Sequence, residues 1–202
     1  MPFLRKEEGH CCLRTTLTMN EVPTHHLVYG TLKDFITGEE LVDTDDERTR
    51  QQLAQMMVEQ LGYHKDELEP RCFIESLFNS QFVRSNIELA VSLRELKKKF
   101  LIIRYGAGSL VSRERSAIAA ARILEPEYQI PLAVVTNGRD SELIDTGNGE
   151  ILATGMEAIP SRKQASELIT NLKFRPPATG KKREGELRIL NAFDVQICCR
   201  SI

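Results

Sequence analysis

The 202-residue chain is 41% hydrophobic and 28% charged, a balance that suits one soluble domain able to bury roughly 70% of its unfolded surface. None of its apolar runs approaches the roughly 18 residues of a membrane span. A formal net charge of −2 excludes a global basic footprint, so any nucleic-acid contact must come from a local patch.

Residues 1–26 read as an amino-terminal segment. MPFLRKEEGHCCLR has neither an apolar h-region nor a small-residue cleavage site, so a cytoplasmic location is expected, with the five cysteines as thiols. His10, Cys11 and Cys12 near one end and Cys198 and Cys199 near the other raise a zinc reading, since domain termini often lie close together. Adjacent cysteines lack the C-x₂-C spacing with which two thiolates reach one tetrahedral ion, and ordinary thiols are expected. His25 and His26 read as polar surface.

The main domain is expected over residues 27–174. LVYGTLKDFITGEELVDT, residues 27–44, alternates loosely around Gly30 and Gly38 and suggests a hairpin arm. Thr44 followed by Glu47 has capping-box spacing, and Leu53, Met56, Met57 and Leu61 recur at helical intervals up to Gly62. This predicts a helix over 45–61. RCFIESLF reads as a strand. In the next one Ile87, Leu89 and Val91 alternate with Asn86, Glu88 and Ala90, as in a strand with one buried face. Lys97 to Lys99 read as a solvated turn, and FLII, apolar throughout, fits a central strand covered on both sides.

FLIIRYGAGSLVSRER, residues 100–115, then ends a strand on Arg104 and passes through Gly106 and Gly108. Ser112 can cap a helix through SRERSAIAAARIL, whose alanines permit close approach to a sheet. IPLAVVTNG is a second apolar strand, so the order strand, helix, strand implies a right-handed parallel crossover and an α/β core. ELIDTGNGEILATG reads as a hairpin, and Ser161 with Gln164 opens a helix to about Asn171. Residues 175–186, RPPATGKKREGE, have linker composition, with Lys181 to Arg183 solvated. Residues 187–202 read as a final helix packed through Leu187, Leu190, Phe193 and Ile197.

Three segments carry a family resemblance: ERTRQQLAQMMVEQLGYHKDELEPR, NIELAV followed by FLIIRYGAG, and LAVVTNG. Over about residues 27–150 they resemble the amino-terminal nuclease domain of type I restriction enzyme R subunits, within the PD-(D/E)xK or restriction-endonuclease-like superfamily. The resemblance implies an α/β fold with a mixed sheet core flanked by helices and a parallel β-α-β crossover. It also implies a magnesium site in which a helix carboxylate, a strand aspartate and a Glu-x-Lys converge. The carboxylates hold the ion, and the lysine positions or deprotonates the attacking water.

Carried over residue by residue, Glu47 falls at the helix carboxylate and Glu88 at the strand aspartate, while Arg104-Tyr105-Gly106 occupies the Glu-x-Lys. A guanidinium cannot ligate a cation, and glycine removes the amine. The resemblance thus implies a non-catalytic domain with no cofactor, acting on DNA or on a restriction-system or other protein partner. Membrane association is not expected, and a homodimer is left open. A Mg-dependent endonuclease with a relocated site is the alternative, drawing on Lys97, Lys98, Lys99, Arg113 or Glu114. A third reading is a small-anion-binding module at Arg104, Gly106, Ser109, Ser112, Arg113 and Arg115, beside a helix start that attracts anions. Plainer roles stand beside these: Glu47 as a cap residue, Glu88 on a wet strand face, and Arg104 in an internal ion pair with Glu47 or Glu88. The GxG turn is a weak signal alone, with no P-loop or full GxGxxG.

Overall fold

A computed structural model describes residues 28–78, 81–106 and 108–194. The chain enters through a hairpin of β1 (Val28–Lys33) and β2 (Glu40–Thr44) and continues into α1 (Asp45–Glu59). Then come β3 (Leu68–Phe78), β4 (Gln81–Ser92), β5 (Lys99–Tyr105), α2 (Val111–Ile123) and β6 (Leu132–Thr136). β7 (Ser141–Asp145), β8 (Ile151–Thr154), α3 (Arg162–Leu168) and α4 (Gly180–Asp194) complete it. The main sheet has six strands in sequence order, antiparallel except for the parallel pair β5–β6, which runs from Leu101↔Leu132 to Tyr105↔Thr136.

Phe100 to Ile103 of β5 and Leu132 to Val135 of β6 are apolar without interruption because helices cover both faces of the sheet. On one face Ile102, Ala133 and Val135 meet the fully buried Ala117, Ala119, Ala120 and Ala121 of α2 and Leu190 of α4. Four small side chains let α2 lie close to the strands, and larger ones would hold it off. On the other face Phe100, Ile103 and Val134 meet Leu53, Ala54 and Met57 of α1. Met57 is fully buried, which contributes roughly 1.5–3 kcal/mol.

Several expectations are refined. Thr44 caps α1, its hydroxyl accepting the Glu47 N–H at 3.2 Å, and the helix ends at Glu59, just ahead of Gly62 at φ 78°. Ser112 does not cap α2: Leu110 stands at the cap without a side-chain bond, and Ser112, already inside the helix, donates to the Ser109 carbonyl at 2.9 Å. β4 does not keep one buried face. Ile87 packs with the α2 layer and Leu89 and Val91 with the α1 layer. The switch falls beside Arg71 of β3, at φ 57°, where the ladder between Pro70↔Leu89 and Cys72↔Ile87 is distorted.

The Ser161–Gln164 capping box is formed on both sides, but α3 stops at Leu168. α4 begins at Gly180 rather than 187, so Lys181 to Arg183 are helical and only residues 175–179 of the expected linker stay outside a helix. Tertiary contacts outweigh composition here: Glu186 pairs with Arg122, and Leu190 is fully buried. His10, Cys11, Cys12, His25, His26, Ile197, Cys198 and Cys199 lie outside the described residues. Among the described residues no helix is long and apolar enough to cross a membrane.

Candidate functional site at the carboxyl ends of β5 and β6

Ligands of open α/β sheets bind beyond the carboxyl ends of parallel strands, where side chains project past the last ladder bonds. Arg104 stands there on β5, level with Val135 of β6, which is in turn level with Glu142 of β7. Its side chain is only 10% exposed and donates from Nη2 to Asp194 Oδ1 at 2.9 Å, closing onto the last residue of α4. Arg104 Nη1 and Asp194 Oδ2 are both buried without a hydrogen-bond partner. The internal ion pair expected of Arg104 therefore exists, but with Asp194 in place of Glu47 or Glu88.

Glu88 is half-buried on the neighbouring strand, and its Oε2 accepts the Tyr105 N–H at 2.8 Å. Burial pushes its carboxyl up to about 7, while the Tyr105 amide and the Arg104 charge pull it down and Asp46 adds a repulsive push.

Glu47 belongs to a different cluster. It accepts from Arg50 Nε at 3.2 Å and from Gln51 Nε2 at 2.8 Å, and Arg50 Nη2 bridges it to the buried Asp34. Asp34 also accepts the Ile36 and Thr37 amides at 2.8 Å each, and Gln51 accepts the Phe35 N–H. Burial works to raise the Asp34 carboxyl, but the Thr37 amide and Arg50 outweigh it and hold the group below its ordinary range. The cluster fastens the β1–β2 hairpin to α1, a structural task.

The resemblance places Gly106 at the lysine position of the Glu-x-Lys. A Cβ there would lie 2.0 Å from Arg113 Nε, so the guanidinium of α2's first turn fills the space a side chain would need. The turn is joined to the β6–β7 connection by Asn137, whose Nδ2 donates to the Gly108 carbonyl at 3.0 Å. Ser109 and Ser112 are exposed on its rim, and Arg115, half exposed, lies 3.6 Å from Glu186. Arg104 lies at the end of β5, Gly106 and Ser109 in the connection, and Ser112, Arg113 and Arg115 at the start of α2, with Arg104 and Arg115 facing acids of α4.

Magnesium does not fit these residues. Arg104 offers no lone pair, Gly106 offers no amine, Glu88 is bound to a backbone amide, and Glu47 is taken up by Arg50 and Gln51. Among the described residues no three acidic, histidine or cysteine side chains are grouped to hold an ion. Asp46 and Asp194 were missed by sequence reasoning. Asp46 is next to Glu47 and differs from it in helix phase and by one methylene, whereas Asp194 had no signal beyond being an acid near the end of an amphipathic segment.

The mixed six-stranded sheet with its parallel crossover and the helix packed across its centre define a restriction-endonuclease-like α/β domain. The chain belongs to the family described as type I restriction enzyme R protein N terminus, whose model matches residues 45–160, more than half of its length. That span runs from α1 to the approach to α3, so α4 lies beyond it. No curated protein and no solved structure matches the chain.

Proposed function

We propose that this chain is a non-catalytic member of its family that holds the backbone of nucleic acid at the carboxyl ends of β5 and β6. The observation that carries the reading is the replacement of the Glu-x-Lys by Arg104-Tyr105-Gly106, with Arg113 filling the side-chain space at Gly106. Where cleavage chemistry needs a carboxylate and an amine, this chain presents two guanidinium groups, which bind phosphate oxygens through paired N–H donors. Ser109, Ser112 and Arg115 on the rim add hydroxyls and charge. Such contacts position a duplex or single strand without reading its sequence.

A relocated catalytic site finds little support in the lysines available. Lys99 opens β5 at the end opposite Arg104 and pairs with Glu69 and Glu125 at 2.8 Å each, and Lys98 lies over the rings of Tyr128 and Phe174. A restriction-system protein is the other partner class that the family suggests.

The test is fluorescence anisotropy of labelled duplex and single-stranded DNA at low and moderate salt, with and without Mg²⁺ or Mn²⁺, the samples then being run on a denaturing gel. Expected are affinity that falls with salt, indifference to metal and intact DNA. Metal-dependent fragments that disappear in Glu47→Ala and Glu88→Ala would establish a nuclease instead. Absence of binding at either salt would move the reading to a protein partner.

A further inference from the structure

α4 lies outside the family-matched span, yet its acids face arginines of α2 and the site residue Arg104. Glu186 accepts from Arg122 at 2.6 Å and lies 3.6 Å from Arg115, and Asp194 accepts from Arg104 at 2.9 Å. The contact at Arg104 is incomplete. A carboxylate normally meets guanidinium through two parallel bonds, but here only one forms. Arg104 Nη1 and Asp194 Oδ2 are left unpartnered, although each side chain is only 10% exposed.

We propose that Asp194 is a built-in competitor, its carboxylate occupying on Arg104 the place of a nucleic-acid phosphate. This inference rests on the nucleic-acid reading above. Stripping a buried guanidinium of its counter-charge is costly, whereas exchanging one anion for another keeps it paired. A phosphate also brings enough oxygens to engage Nη1 as well as Nη2.

α4 is anchored up to its last turn: Leu190 is fully buried, and Asn191 accepts from Ser76 at 2.8 Å. Beyond that point Ala192 and Phe193 are exposed, so the Asp194 end can withdraw without unseating the helix. Phosphate binding at Arg104 and release of this last turn are then two sides of one exchange.

The experiment compares duplex-DNA affinity of the wild type, Asp194→Asn, Arg104→Ala and the double variant across a salt series. Asp194→Asn is expected to bind roughly 3- to 10-fold more tightly and to steepen the slope of log affinity against log salt by about 0.9, one further phosphate contact. Arg104→Ala weakens binding in the wild-type background and abolishes the gain in the Asp194→Asn background, as an energetically coupled pair requires. Equal affinity of Asp194→Asn and wild type, or a gain that survives Arg104→Ala, overturns the competitor while leaving DNA binding in place. No binding by any of the four proteins overturns both readings. A second measurement needs no variant: amide hydrogen exchange of the wild type should speed up at residues 191–194 when DNA is added, and unchanged exchange there overturns the proposal.

Discussion

Glu47 and Glu88, which family resemblance assigns to a single metal site, end in two differently built surroundings. Around Glu47, Arg50 and Gln51 bind it and Asp34 together, so a hairpin, a helix and their charges are locked as one unit. Around Glu88, the Tyr105 amide holds the carboxylate, and the adjacent Arg104–Asp194 pair makes one of the two bonds of a bidentate contact. A cluster that spans several elements and is closed by multiple bonds serves stability. One that sits at strand ends with polar atoms unspent can exchange partners. The difference teaches that equal charge and plausible spacing do not make two carboxylates into one site.

The contrast is broken most severely at Arg50. Arg50→Ala leaves the buried Asp34 without its principal counter-charge and should cost roughly 3–5 kcal/mol in urea unfolding. DNA affinity of the protein that remains folded is expected to be unchanged, which sets the Glu47 cluster apart from binding.

Gly106→Ala probes the other region. The added Cβ meets the far end of a flexible arginine, so the stability cost should stay near 1 kcal/mol or below, while displacement of Arg113 weakens DNA binding several-fold. Circular-dichroism melts and anisotropy titrations on one preparation separate the two effects.

Glu88 sharpens the comparison through pH. Its folded-state carboxyl is raised to about 7 from an ordinary value near 4.5, so its stabilising contribution is complete below about 4.5 and is lost as pH rises through 7. Glu88→Gln should flatten that part of the stability profile, leaving the protein more stable than wild type at pH 8 and little changed at pH 4. Urea midpoints at several pH values measure it, and an unaltered profile would mean that Glu88 stays ionised throughout.

The smallest effect is expected at Arg115, half exposed on the rim. Arg115→Ala should stay within about 0.5 kcal/mol of wild-type stability and lower the salt slope of DNA binding by about 0.9.

Much of the fold is legible in local pattern. The uninterrupted apolar runs of β5 and β6 announce a doubly covered parallel pair, and the alanines of α2 announce a close crossover. Thr44 and Ser161 mark helix starts because a cap needs only neighbours a few residues away. The candidate site is legible in part: the arginine and glycines after β5 stand where the sequence places them. The face switch of β4 at Ile87 and Leu89 is not legible, because it coincides with a distortion at Arg71 on a different strand.

By itself, then, the sequence determined most of the elements, the parallel crossover and the Arg104-Tyr105-Gly106 stretch that ends β5, all properties of residues close together in the chain. Only the tertiary structure decided how the charges pair: Glu47 with Arg50, and Arg104 with Asp194, ninety positions away. The reason is that ionic and hydrogen-bonded partners are chosen by distances of a few ångströms and by what burial excludes from water, and neither is written in spacing along the chain.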